Sequence, residues 1–295
     1  MNKKIVNDFL EYIRNNRRYS SYTVNNYKVD LEDYVLFLGD ISITSVSYEV
    51  CKEYINKIYN NYSNKSTLSR KISCLRSLYN YLEEHGYVLV NHFKEFKIPK
   101  RGRVLPNYLK KKESLDILSN NLDSDKVLDI RNNLILELLY STGVRVSELV
   151  NIKISDINRD DKTIKIMGKG SKERIVIYGK YCEDKLNRYL EDSYHILNKN
   201  NSPYLILNNR GFPLSSRYVR DIVDKVRIDL GISEKISPHT FRHTFATDML
   251  SNGADLISVK KLLGHESINT TSVYTHVTNE HIKNIYKMAH PRGKI

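Results

Sequence analysis

Near the start of the chain Ile5, Phe9, Leu10 and Ile13 recur at intervals of three and four, and after the polar break NNRRYSS a second stripe runs through Val24, Tyr27, Leu31, Tyr34, Val35 and Leu38. That spacing places each set on one face of an amphipathic helix. Gly39 ends the second helix, Ser47 caps a third carrying Val50, Tyr54, Ile55 and Ile58, and Ser66 opens a fourth with Leu68, Ile72, Leu75, Tyr79 and Leu82, stopped at Gly86. Residues 1–96 therefore read as a small four-helix bundle.

The pattern then breaks. KIPKRGRVLPNYL combines Pro99, Gly102 and Pro106 with basic residues, the composition of an extended connector, and places a linker at 97–106. Beyond it, in residues 107–295, Asp129 to Tyr140 is a strongly apolar helix, followed by the turn STG and a short helix beginning near Arg145. KTIKIMGKGSKERIVIY alternates apolar and polar residues on both sides of a glycine-rich turn and predicts a β-hairpin. Helices resume at 180–198, a short strand and turn follow in YLILNNRGFPL, and the chain from Ser215 onward is helical, with breaks at Gly231, Gly253 and Gly264. The expected architecture is mainly α, with one small antiparallel β-sheet in the second domain.

Composition narrows the partner. The 47 Lys and Arg against 34 Asp and Glu leave +13, divided nearly evenly at Pro106, which favours a polyanion and nucleic acid first, although a high pI also serves solubility. No apolar run is long enough to span a bilayer, and MNKKIVNDFLEYIRNN lacks the core and cleavage site of a signal peptide, so a cytoplasmic protein without a membrane partner is expected. Cys51, Cys74 and Cys182 are widely spaced and form no C-x-x-C pattern, which points to reduced thiols.

Several polar residues of the second half stand out. Ser237 and Pro238 mark a helix start in SPHTFRHTFATDML, with His239 in the first turn and Arg242 and His243 one turn on. His239 and His243 have the spacing of a zinc pair, but no general-base glutamate or third ligand accompanies them; His243, beside Phe245 and Ala246, reads as a structural histidine. Arg145 opposes the dipole at its helix start, so it serves either an anionic ligand or an ion pair with Glu148. Lys169 in GKGSKE, taken alone, is an ordinary hairpin lysine, and no P-loop is present. Tyr274 is one tyrosine among twenty-two, so residue type alone does not mark it.

The ordered set changes these readings. STGVRVSEL, GKGSKER, SPHTFRHTFAT and LLGHESINTTSVYTH, with the terminal HPR at His290 to Arg292, resemble the motif boxes of the tyrosine recombinase family, in particular its bacterial Xer branch. The match is dense from about residue 128 onward, whereas the four-helix half fits the family's core-binding domain by size and position. Phe241, where relatives often have leucine, is a conservative departure.

The resemblance implies a catalytic site of Arg145, Lys169, His239, Arg242, His265 and Tyr274. In it Tyr274 attacks a DNA phosphodiester to give a 3′-phosphotyrosyl link, the two arginines clamp the phosphate, and His265 adds a hydrogen bond. Lys169 protonates the leaving 5′ oxygen and His239 accepts the tyrosine proton, with no metal and no ATP. It implies a two-domain enzyme that clamps double-stranded DNA at a specific core site and works in a tetrameric synapse, alone or with a paralogue and a DNA translocase as regulator. Dimer resolution, a mobile-element integrase, a type IB topoisomerase and a non-catalytic DNA-binding protein are the roles to separate. Asn269 to Thr275, polar and β-branched, reads as a movable mount for Tyr274, and the tail at 278–295, with Ile282, Ile285, Tyr286 and Met288, as a segment that docks on a neighbouring subunit or covers its own domain.

Overall fold

The computed structural model describes residues 2–98, 107–120, 123–168, 173–264 and 277–294, the first three of the last stretch by backbone only. The chain separates into two compact units, Met1–Val104 and Leu105–Ile295. Pro99 to Pro106, most of the expected connector, lie outside the described residues.

The first unit is built on α1 (Asn2–Asn15), α2 (Ser21–Leu38), α3 (Tyr48–Asn61) and α4 (Lys65–Glu84). Phe9, Leu31, Tyr34, Tyr54, Ile72 and Leu78 form its centre, all nearly or completely buried. Tyrosine can serve there because its hydroxyl finds partners: Tyr34 donates to Tyr79 at 2.8 Å, Tyr79 to the Ile43 carbonyl at 3.0 Å, and Tyr54 to Asp33 at 3.0 Å. Asn64 caps α4 in place of the expected Ser66, its side chain accepting from the Ser66 N–H at 2.8 Å. The cap thus falls two residues earlier, because Asn64 accepts the bond and Ser66 donates it.

The second unit contains α5 (Lys111–Ser119), α6 (Val127–Thr142), α7 (Val146–Leu149), β1 (Ile157–Asn158), β2 (Thr163–Met167), β3 (Glu173–Ile177), α8 (Lys180–Tyr189), α9 (His195–Leu197), α10 (Ser216–Asp229), α11 (Pro238–Ser251), α12 (Leu256–Leu263) and α13 (Val277–Ala289). Helix α6 is buried on every face from Ile130 to Thr142, except where Asn132 reaches the surface, and forms the axis of the unit. The hairpin pairs antiparallel from Thr163–Ile177 to Met167–Glu173, with the short β1 added on its other edge. A π-helical turn, Leu190–Tyr194, joins α8 to α9 within the helical stretch expected at 180–198.

The strand expected in YLILNNRGFPL is reduced to two isolated bridges, Lys153–Tyr204 and Leu207–Pro213. Leu205, Ile206 and Leu207 are fully buried, but the chain folds back on itself at Gly211 (φ 81°) instead of joining the sheet, so its apolar run reflects burial alone. No described helix is long and apolar enough to cross a membrane.

The tail packs on its own unit. Ile285, Tyr286 and Ala289 join Phe245 and Met249 of α11 and Val259, Leu262 and Leu263 of α12 in one apolar cluster. Tyr286 donates to the Ser141 carbonyl at 3.0 Å, His290 stacks on its ring at 4.9 Å, and Arg292 lies over the Tyr181 ring at 4.0 Å. Ile285, Tyr286 and Ala289 are thus covered by the chain's own unit, while Met288 of the same stripe is exposed. Tyr286→Ala should cost about 3–5 kcal/mol through cavity formation. It should also speed trypsin cleavage at Lys283 and Lys287; unchanged tail protection would contradict this packing.

Candidate active site

Two helix ends define the site. Helix α6 stops at Gly143, which adopts a left-handed conformation (φ 60°), and α12 stops at Gly264 in the same way (φ 66°). Any other residue would be strained at these angles, and neither position has room: a Cβ at Gly143 would sit 2.8 Å from Leu263 and 2.9 Å from Phe245, and one at Gly264 2.8 Å from the stem of Arg174.

The carbonyl-rich ends of both helices face one guanidinium. Arg242, on α11, is 4% exposed and donates Nη1–H to the Gly143 carbonyl at 2.7 Å and Nη2–H to the Leu263 carbonyl at 2.5 Å. A helix C-terminus carries partial negative charge, so two of them offset part of the cost of taking this cation out of water. Burial, together with the nearby charges of Arg145 and Arg174, still lowers the Arg242 pKa to about 10, which keeps it protonated at neutral pH.

Arg145 immediately precedes α7, and Glu148 accepts from its backbone N–H at 2.8 Å and from its Nη1 at 2.9 Å. The ion pair weighed from sequence is thus present, yet the Arg145 side chain stays 41% exposed. Glu148 also receives the fork of Arg174 from β3, at 2.8 and 2.7 Å. Burial alone would raise the Glu148 carboxyl, but the Arg174 fork, the Arg145 N–H and both positive charges hold it down at about 2. Arg145, Arg174 and Arg242 against one carboxylate make an electropositive cluster suited to an anion with several oxygens.

His239 is exposed in the first turn of α11, whose N-terminus is closed by Ser237 accepting from the Thr240 N–H. Its ring lies 4.6 Å from that of His243. Burial, His239 and Arg242 lower the His243 pKa, so this half-buried ring is neutral at physiological pH. No group of three or more His, Cys, Asp or Glu placed to hold a metal occurs among the described residues. Lys169, His265, Tyr274 and the segment Asn269 to Thr275 lie outside the described residues.

The structure thus brings Arg145 and Arg242 together and adds Arg174, which the sequence reading missed. A signal was present: in ERIVI, Arg174 and Val176 point to the same face, and Val176 is core, so an arginine faces inward on a half-buried strand.

Comparison with known proteins agrees with this geometry. Residues 107–281 match the phage integrase family model and residues 6–86 that of the phage integrase N-terminal SAM-like domain. The chain belongs to the phage integrase family and is a tyrosine recombinase. It is 39% identical to the tyrosine recombinase XerC of Staphylococcus saprophyticus over 99% of both chains, and its activity is Xer-like site-specific recombination. The same fold occurs in a lambda integrase dimer bound to a COC′ core site (TM-score 0.72, 19% identity, 93% of this chain and 98% of that one). It recurs in a lambda integrase tetramer bound to a Holliday junction (TM-score 0.70, 19% identity, 92% and 80%).

The Glu148 carboxyl has a testable consequence. Because its folded pKa lies below the ordinary 4.5, it contributes stability that is fully present above 4.5 and lost as pH falls toward about 2. The stability advantage of the native protein over Glu148→Gln, measured by denaturant unfolding, should shrink across that window; an advantage independent of pH would contradict the assignment.

Proposed function

We propose that this recombinase cuts and rejoins double-stranded DNA at a specific core site, with Arg145 and Arg242 clamping the scissile phosphate. The observation that carries this reading is the cluster of three guanidiniums around one carboxylate at two helix ends. Negative charge gathers on the non-bridging oxygens in the transition state, and prearranged donors aimed at such charge are worth on the order of 10²–10³ in rate each.

Tyr274 is the nucleophile: its oxygen bonds to phosphorus while the bond to the 5′ oxygen breaks, leaving a 3′-phosphotyrosyl link and a 5′-hydroxyl. Lys169 gives its proton to the departing oxygen, His239 takes the phenolic proton, and His265 donates to the phosphate. The phosphotyrosyl bond conserves the energy of the broken phosphodiester, so rejoining needs no ATP.

Residues 1–96 act as the core-binding domain, 97–106 as the connector, and 107–295 as the catalytic domain, whose tail begins near 278. The family matches at 6–86 and 107–281 support this division. Four copies, identical or shared with a paralogue, assemble on two duplexes, in keeping with the integrase tetramer on a junction. In this reading it resolves chromosome or plasmid dimers in the cytoplasm, with a DNA translocase as regulator; the likeness to XerC supports the recombination itself.

Sequencing the DNA trapped with the protein in cells supplies the core site, and a nicked suicide duplex carrying it tests the chemistry. The native protein should accumulate a covalent adduct, and Tyr274→Phe should form none while binding the duplex nearly as well. Arg145→Lys and Arg242→Lys should each slow cleavage about 10²-fold or more. An adduct that persists in Tyr274→Phe would remove the assignment of the nucleophile.

A further inference from the structure

We infer that Arg174 is a positioning residue for recombination: by occupying both oxygens of Glu148 it keeps most of the Arg145 guanidinium free for the substrate phosphate. The inference rests on the clamp role proposed above for Arg145.

An ionised carboxylate offers about four lone-pair sites. In Glu148 each oxygen accepts two bonds: Oε1 from Arg174 Nη1 at 2.8 Å and Arg145 Nη1 at 2.9 Å, and Oε2 from Arg174 Nη2 at 2.7 Å and the Arg145 backbone N–H at 2.8 Å. The carboxylate is saturated, and the Arg145 side chain supplies only one of the four donors. Its Nε and Nη2 make no other bond among the described residues, and the side chain is 41% exposed.

Arg174 is placed differently. Its side chain is 13% exposed, its Nε donates to the Leu262 carbonyl at 3.3 Å, and its stem packs against Gly264. Every nitrogen of its fork is engaged by protein, so it stands behind the clamp and takes no part in it.

Without Arg174, Glu148 would be a buried carboxylate with two vacant acceptor sites beside an exposed arginine. Leaving such a charge uncompensated is costly, and a bidentate arginine–carboxylate pair is the strongest local remedy. Arg145 would rotate into that pair and lose the donors a phosphate needs. The harm in an Arg174 variant therefore comes from the carboxylate left behind, so removing the carboxylate as well should undo part of it. A purely structural role for Arg174 would make the second change additive or worse.

The test compares single-turnover cleavage of the nicked suicide duplex by full-length native protein, R174Q, E148Q and R174Q/E148Q, with duplex affinity and thermal unfolding measured alongside. Glutamine at 148 retains the acceptor for the Arg145 backbone N–H. R174Q should cleave about 100-fold more slowly, E148Q should lose less, and the double variant should cleave about tenfold faster than R174Q. Arg174→Met, which keeps an aliphatic stem against Gly264, repeats the comparison if R174Q unfolds.

Arginine side-chain ¹⁵N spectra read the capture directly: rotation about the Arg145 Nε–Cζ bond should slow in R174Q and recover in the double variant. Unslowed rotation, or a double variant no faster than R174Q, overturns the inference. Slowed rotation with unchanged cleavage overturns instead the clamp role given to Arg145.

Discussion

A guanidinium taken almost completely out of water sets the terms for the catalytic unit. Arg242 must remain charged while buried, and among the described residues no carboxylate is bonded to it; its bonds there go to the carbonyls of Gly143 and Leu263. Those carbonyls belong to the ends of two different helices, so α6 and α12 must stop where they do and at the angle they do. Glycines at both stops follow from this, because the chain has to turn away in a left-handed conformation with neighbours already in contact.

The same packing ties the tail to the reaction centre. Leu263 and Phe245, which crowd Gly143, are also members of the apolar cluster that receives Tyr286 and Ala289. Tyr286 reaches the Ser141 carbonyl in the last turn of α6, two residues before Gly143. The tail therefore rests on the side chains that fix the acceptor of Arg242, and its seating and the position of the buried cation are mechanically linked.

Much of the helical layout was legible because helix periodicity is local: the stripes of α1 to α4 and the hairpin alternation appear as spacing in the chain. What escaped depended on partners far away in sequence. Ser66 was the expected cap of α4, but Asn64 two residues earlier has a cap-competent side chain too, and the Ser66 N–H donating to it decides between them. The run at Tyr204 to Leu207 has strand composition, yet its backbone forms only isolated bridges to Lys153 and Pro213. Whether α13 covers its own unit turns on a surface assembled from α11 and α12, which no local pattern reveals. Arg145 and Arg242 were identifiable only as members of an ordered set: an ion pair with Glu148 was an adequate explanation of Arg145 alone, and Arg242 alone carried no distinctive signal. Arg174 escaped because its partner Glu148 lies 26 residues away in sequence, although its place on the inward face with Val176 was a local signal. Lys169, His265 and Tyr274 lie outside the described residues, so their reading rests on sequence and family.

Helix α6 is sealed inside its unit along most of its length, so the Gly143 carbonyl that anchors Arg242 is held by core packing while Arg145 and His239 stay open to solvent. Arg217 and Arg220 of α10 are exposed and take no part in that packing, whereas a change in α6 itself disturbs core and clamp together. Exposed side chains of the unit can therefore vary while the buried anchor of Arg242 is kept.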